Sequence, residues 1–423
     1  MAKKTFVSIA QTYFSRFSCL GSQLEQLPKE DLKMVVVIPS YNEPDLMSAV
    51  NSLLACDVPL DVSVEVIVVV NYPKNSDNKV VNVSESNVKS VSNCIFEQDK
   101  IALYSIFCPD LPTKHAGVGW ARKIGMDEAL RRLAKVNNNG LICCFDADSL
   151  VDKSYFSAIW NQFKNNSFNG ASIHFEHPIS GDNFEDSIYK EIVKYELHLR
   201  YYKNALMFCG LPYAYHTVGS SMVVKASAYA LQGGMNRKKA GEDFYFINKI
   251  IALGNYSRVT STTVFPSPRI SDRVPFGTGR AIKESIEGCK DLSITYNFEI
   301  FIAIKSWVNL VINKQQYDYN SFSSMIRSFL SEQFWNLKLS QLQQNTSSLA
   351  LFNSQFFKVF DAFWMLKCVH HLKANFFDDT DLLINTNSLL AELRCPKMNN
   401  VEQALVAFRN LDKKIGETKA PLK

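Results

Sequence analysis

Four strand-length runs rich in apolar residues, the first of them continuously β-branched from Val35 to Ile38, set the terms on which this chain can fold. They read MVVVIPS (34–40), VSVEVIVVVN (62–71), IALYSIF (101–107) and GLICCFD (140–146). A strand with one wet face alternates apolar and polar residues. An unbroken run is the mark of a strand covered on both faces, as in a parallel sheet between helices. The stretches between the runs carry the helices such a sheet requires. Pro44 suits the first turn of a helix reaching about Cys56, and a polar segment ending near Gln98 holds a second. Residues 118–135 place Trp120, Ile124, Leu130 and Leu133 near helical spacing. GASIHFEH (170–177) is a fifth strand, followed by an amphipathic helix from about Phe184 to Tyr202. The stretch 215–229 reads as a polar turn, a strand and a helix start. Repeated strand–helix units predict a mostly parallel sheet, and such sheets bind ligands outside the carboxyl ends of their strands.

Beyond Glu284 the rhythm changes. Glycine and proline become scarce, and apolar residues recur three and four apart, as in Phe356, Phe357, Phe360, Phe363, Trp364 and Cys368. The 423 residues therefore divide into an N-terminal helical extension (1–32), an α/β domain (33–284) and a helical C-terminal region (285–423). No run of eighteen apolar residues is free of charge, and the best stretch, FEIFIAIKSWVNLVI (298–312), is interrupted by Glu299 and Lys305. A transmembrane segment is not expected. Phe6, Ile9, Tyr13, Phe14 and Phe17 share a helical face, for which packing on the domain is the leading reading and peripheral contact with a membrane the second. The balance of 46 basic to 41 acidic residues, net +5, lacks the electrostatic footprint of a nucleic-acid partner. Ten cysteines without a CxxC pair read as reduced, mostly buried thiols of a cytoplasmic protein.

The fourth run ends unusually. Asp146 and Asp148 stand one residue apart where the strand emerges, and two like charges so placed require something positive between them. A divalent cation with a taste for hard oxygen, Mg2+ or Mn2+, satisfies both and also bridges a diphosphate. The plainer alternative is a turn whose aspartates cap the helix starting near Ser154.

Other stretches add to this. VVVIPSYNEPD resembles the first strand and loop of glycosyltransferase family 2, which often reads Pro-x-Tyr-Asn-Glu. HAGVGWARKIGMDEA (115–129) resembles that family's G-x-x-x-A-R-N-x-G-x-x-x-A helix, with Lys123 in place of the usual asparagine. FDADS looks like its Asp-x-Asp, and AGEDFYFINKI (240–250) like its acceptor-side Glu-Asp pair. The resemblance spans roughly residues 33–280, with the motifs in the family's order. It implies an α/β chain of GT-A type, a mostly parallel sheet flanked by helices with an α-helical C-terminal appendage. It also implies a metal-dependent inverting transfer from a nucleotide-diphosphate sugar to a glycan or lipid-linked acceptor, as in cell-surface polysaccharide synthesis. Carried over residue by residue, Pro39, Tyr41 and Glu43 line the nucleotide pocket. Asp146 faces the ribose or the metal, Asp148 ligates the metal, and Arg122 and His115 lie near the nucleotide or diphosphate. Glu242 and Asp243 face the acceptor, with Asp243 as the base.

There are departures from the family's pattern. Its second strand usually ends in paired aspartates, whereas Asn71 stands here; a neutral amide still hydrogen-bonds a base edge. The Gln-x-x-Arg-Trp box of processive synthases is absent, which points to transfer of a single sugar. SPRISDRVPFGTGRAI (267–282) matches no family box. Its cations suit a diphosphate clamp, Arg273 or Arg280, with Asp272 as a third metal ligand, and a solvated basic loop explains it equally well. Two other functions compete. A sugar nucleotidyltransferase would carry a glycine-rich, lysine-containing phosphate loop where this chain reads SYNEPD. A non-catalytic binding protein on the same scaffold would have been free to lose the Glu-Asp pair, which is present.

Overall fold

A computed structural model describes residues 5–18, 20–96, 99–113, 116–238, 241–273 and 277–417. The chain forms two compact units. One takes Phe184–His216 and Ala281–Asn410, and the other takes the rest of the described chain.

The latter unit is built on one sheet, made of β1 (Leu32–Ser40), β2 (Ser63–Pro73), β3 (Ile101–Leu111), β4 (Leu141–Cys144), β5 (Leu150–Val151), β6 (Gly170–Phe175), β7 (Met222–Lys225) and β8 (Tyr256–Phe265). The order is β3-β2-β1-β4-β7-β6-β8-β5. The pairs β3/β2, β2/β1, β1/β4 and β6/β8 are parallel, while β7 runs antiparallel to both its neighbours and β5 to β8. This is the expected α/β architecture. Leu32 and the run Met34–Ile38 are fully buried, as are Val66–Val70. Each such side chain contributes about 1.5–3 kcal/mol on leaving water, which is why the apolar runs become the sheet's centre.

Helix Val118–Lys135 lies on β1 and β2. Gly125 makes that close approach possible, because a Cβ there would sit 2.4 Å from Val37 and 2.9 Å from Val69. Helix Phe6–Arg16 is tied to the same helix by buried polar contacts. Tyr13 donates to Asp127 at 2.6 Å, Tyr229 donates to the same oxygen at 2.5 Å, and Lys123 donates to Tyr13 at 2.5 Å. The apolar face of the N-terminal helix is therefore at least partly covered within its own unit.

In the other unit, helix Asp186–Phe208 packs with helices of the C-terminal region. Trp307, Phe356, Phe360 and Trp364 form an aromatic core there, and buried Glu196 accepts from Arg200 and Arg409. Among the described residues no helix is long and apolar enough to cross a membrane. The described cysteines are free thiols.

Candidate active site at the carboxyl ends of the strands

The strand registers bring the candidate residues to one edge. Ser40 lies opposite Val70, and Cys144 opposite Val37, so β1, β2 and β4 end side by side. The Phe145 amide still donates to Val37, after which the Ser149 amide folds back onto the Asp146 carbonyl. This turn presents both aspartates, with side chains 35% and 26% exposed. Helix Tyr155–Phe163 is capped at Ser154, so neither aspartate is its cap.

Asp146 is held by Arg122. The guanidinium sits in the first turns of helix Val118–Lys135 with its side chain only 4% exposed, one Nη on Asp146 and the other on Glu242. Gly219 leaves room for it, since a Cβ there would lie 2.4 Å from the guanidinium. Burial works against Arg122's charge, but Asp146 and Glu242 outweigh it and raise its pKa. Arg122, which the resemblance puts near the nucleotide or diphosphate, is thus a bridge between two carboxylates.

Glu242 and Asp243 open helix Glu242–Ile251, and Gly241 supplies the N-cap in the left-handed region at φ 70°. That conformation is one only glycine adopts freely. Asp243 accepts from the Phe244 amide at 2.7 Å. Loss of solvent, then repulsion from Glu242, pushes the Asp243 carboxyl up to about 7, against the pull of Arg122.

A second arginine-bridged cluster surrounds Glu43. This carboxylate is 1% exposed and receives both Nη groups of Arg269 and Nη1 of Arg273. Burial favours its neutral form, but the two guanidiniums win and lower its pKa. Nη2 of the same arginines reaches Oδ2 of Asp148, at 2.9 Å from Arg269 and 3.5 Å from Arg273. Asp148 is nevertheless shifted upward, by burial first and by Asp146 and Glu43 in addition. Glu43, expected to line the nucleotide pocket, is a buried anchor for the arginines.

The remaining candidates are scattered around this centre. Pro39 pairs across the sheet with Val69, Tyr41 gives its carbonyl to Arg273, and Asn71 is buried at the end of β2. Asp272 and Arg280 form a largely exposed pair at 3.6 Å. Among the described residues no three His, Cys, Asp or Glu side chains gather into a metal-holding group, and Asp272 faces Arg280. His115 lies outside the described residues. The sequence reading passed over Arg269. It follows β8, whose hydroxyl-rich YSRVTSTTVF hides a strand; the β-branched Val259, Thr260, Thr262, Thr263 and Val264 were the available signal.

The two aspartates suit a divalent cation. Arginine contacts fall on Oδ1 of Asp146 and Oδ2 of Asp148, leaving the other oxygen of each outside them. A cation of the Mg2+ type takes one or two carboxylates and completes its shell with phosphate oxygens and water.

No family model matches this chain, and no curated protein matches it. Solved structures do align with it. Staphylococcus aureus TarS 1–349 shows 13% identity over 91% of this chain and 90% of that one, with a TM-score of 0.36. The same fragment in complex with UDP-GlcNAc gives 12% identity, 91% and 89% coverage and a TM-score of 0.38. GalNAc-T7 with UDP, GalNAc and Mn2+ gives 14% identity, 84% and 59% coverage and a TM-score of 0.36. Likeness at this level is too slight to bear on fold or function, and the strand order and the carboxylate clusters stand without it.

Proposed function

We propose that the chain is a GT-A type glycosyltransferase that moves one sugar from a nucleotide-diphosphate sugar to a hydroxyl of a glycan or lipid-linked acceptor, with inversion. The observation that carries the reading is the bridge Asp146–Arg122–Glu242. It fixes the aspartate pair at the end of β4 within one guanidinium of a carboxylate pair at a helix start. Sugar transfer needs control of charge at the departing diphosphate and a base at the attacking oxygen.

Asp243 takes the base's part. A carboxyl titrating at about 7 is matched to accepting a proton near neutral pH. As the acceptor oxygen bonds to the anomeric carbon, its proton passes to Asp243, and the opposite bond breaks with its electron pair leaving on the diphosphate. Glu242, pinned by Arg122, orients this end of the site. Asp146 and Asp148 would hold Mn2+ or Mg2+, which when bound spreads the charge of the leaving group. Pro39, Tyr41 and Asn71 border the nucleotide, and Arg273, with Arg280 further out, faces the phosphates.

A thermal-shift screen of nucleotide sugars with and without Mn2+ tests the reading. A donor at 100 times its dissociation constant should stabilise the fold by about 2.7 kcal/mol. No shift with any UDP- or GDP-sugar would refute it.

A further inference from the structure

Arg269 and Arg273 each have two kinds of partner. Toward Glu43 they make three contacts on a carboxylate with almost no exposure, which no ligand reaches without unpacking the site. Toward Asp148 each sends Nη2 to a single oxygen of a carboxylate that is part-exposed, as the arginines are at 23% and 26%. The first set fixes the guanidiniums in place. The second set lies where a solute can compete for it. Guanidinium forks match phosphate oxygens as well as carboxylates, and a second anion of higher charge is the better partner.

We propose that Arg269 and Arg273 bind the donor's diphosphate by exchanging partners. The N–H bonds that face Asp148 turn to phosphate oxygens, while Nη1 and Nη2 of Arg269 and Nη1 of Arg273 keep their contacts to Glu43, and Asp148 is released to a divalent cation. The inference rests on the nucleotide-sugar reading above and adds Arg269 to its binding residues. It implies that cation and diphosphate each bind better with the other present, because Arg269 Nη2 already divides its two N–H bonds between Glu43 and Asp148, and phosphate must draw the second away from Asp148.

The exchange makes one substitution act in opposite directions on two probes. Calorimetry on the full chain would titrate Mn2+ alone, and inorganic pyrophosphate with Mn2+, into wild type, Arg269→Gln and Arg273→Gln. Either variant leaves Glu43 the other arginine, so the fold should hold, and circular dichroism checks it. Pyrophosphate affinity should fall by tenfold or more, on the order of a lost charge-assisted hydrogen bond. Mn2+ affinity in the absence of pyrophosphate should rise, on the order of tenfold for the removal of a neighbouring positive charge. Arg269→Lys keeps the charge and loses the fork, so it should weaken pyrophosphate without tightening Mn2+. Mn2+ binding that is unchanged or weaker in both glutamine variants overturns the exchange, whatever happens to pyrophosphate. Wild type that binds neither pyrophosphate nor any nucleotide sugar overturns the underlying reading, and the exchange with it.

Discussion

Arg122 and Arg269 each hold two carboxylates, the first Asp146 and Glu242, the second Glu43 and Asp148. Arg122 is enclosed by the Gly219 backbone and shares its site with a Glu242 side chain that is almost wholly buried. Arg269 has a second arginine beside it and is itself part-exposed, at 23% against 4% for Arg122. A buried pair cannot give up either member without leaving a charge in a poor solvent, so it acts as a strut. A part-exposed pair contributes little to stability and is open to exchange. The same residue types thus provide rigidity at Glu242 and adaptability at Asp148.

The largest expected effect lies at the rigid cluster. Asp243→Asn keeps the shape and removes the basicity, and should lower kcat by roughly 10²–10⁴-fold while leaving donor affinity within a few-fold. In wild type kcat should rise with pH through about 7, where Asp243 loses its proton. A variant that turns over normally puts the base elsewhere.

Next comes the contrast between the struts. Arg122→Met leaves Glu242 buried and uncompensated, and should cost about 3–5 kcal/mol in urea unfolding. Arg269→Met leaves Glu43 the guanidinium of Arg273 and should cost clearly less. Equal costs would erase the distinction between the clusters. Gly219→Ala drives a methyl into the Arg122 guanidinium and should cost about 1–3 kcal/mol, the usual penalty of overpacking. Combined with Arg122→Met, its cost should largely vanish, because the two share one space.

How much of this was legible in sequence follows from what each residue answers to. The buried strands β1, β2 and β4 announce themselves because burial on both faces demands unbroken apolar runs. Asp146 and Asp148 stand out because like charges at a strand end need a counter-charge. The identity of that counter-charge was not legible. Arg122 sits 24 residues from Asp146 and 120 from Glu242, and Arg269 226 from Glu43, and no local period links such positions. Gly219 falls in a stretch that read as a polar turn before a strand; the fold shows that its missing side chain is the space Arg122 fills. Glu43 was put in the nucleotide pocket by the family resemblance alone, and its burial against arginines more than two hundred residues away had no signal in the sequence.

The smallest effect separates the two clusters by sign. Asp243 titrates at about 7 in the folded chain, against an ordinary value of 3.8. Between about pH 4 and 7 the unfolded chain has released this proton and the folded one retains it. Stability from this group is therefore full below the unfolded value and is lost as pH rises through about 7, by at most about 1.4 kcal/mol per pH unit. Glu43 behaves in the opposite sense. Its pKa is held below the ordinary 4.5 by the arginines, so its contribution is present above that value and disappears as pH falls through the folded one. Urea midpoints of the full chain from pH 3 to 8 would show both limbs. Asp243→Asn should flatten the decline toward neutral pH and leave the acid limb, while Glu43→Gln should soften the acid limb and leave the decline. A decline that survives Asp243→Asn would mean that the Glu242–Asp243 pair is as open to water as Asp148, and the comparison between strut and exchangeable pair would fail at its buried end.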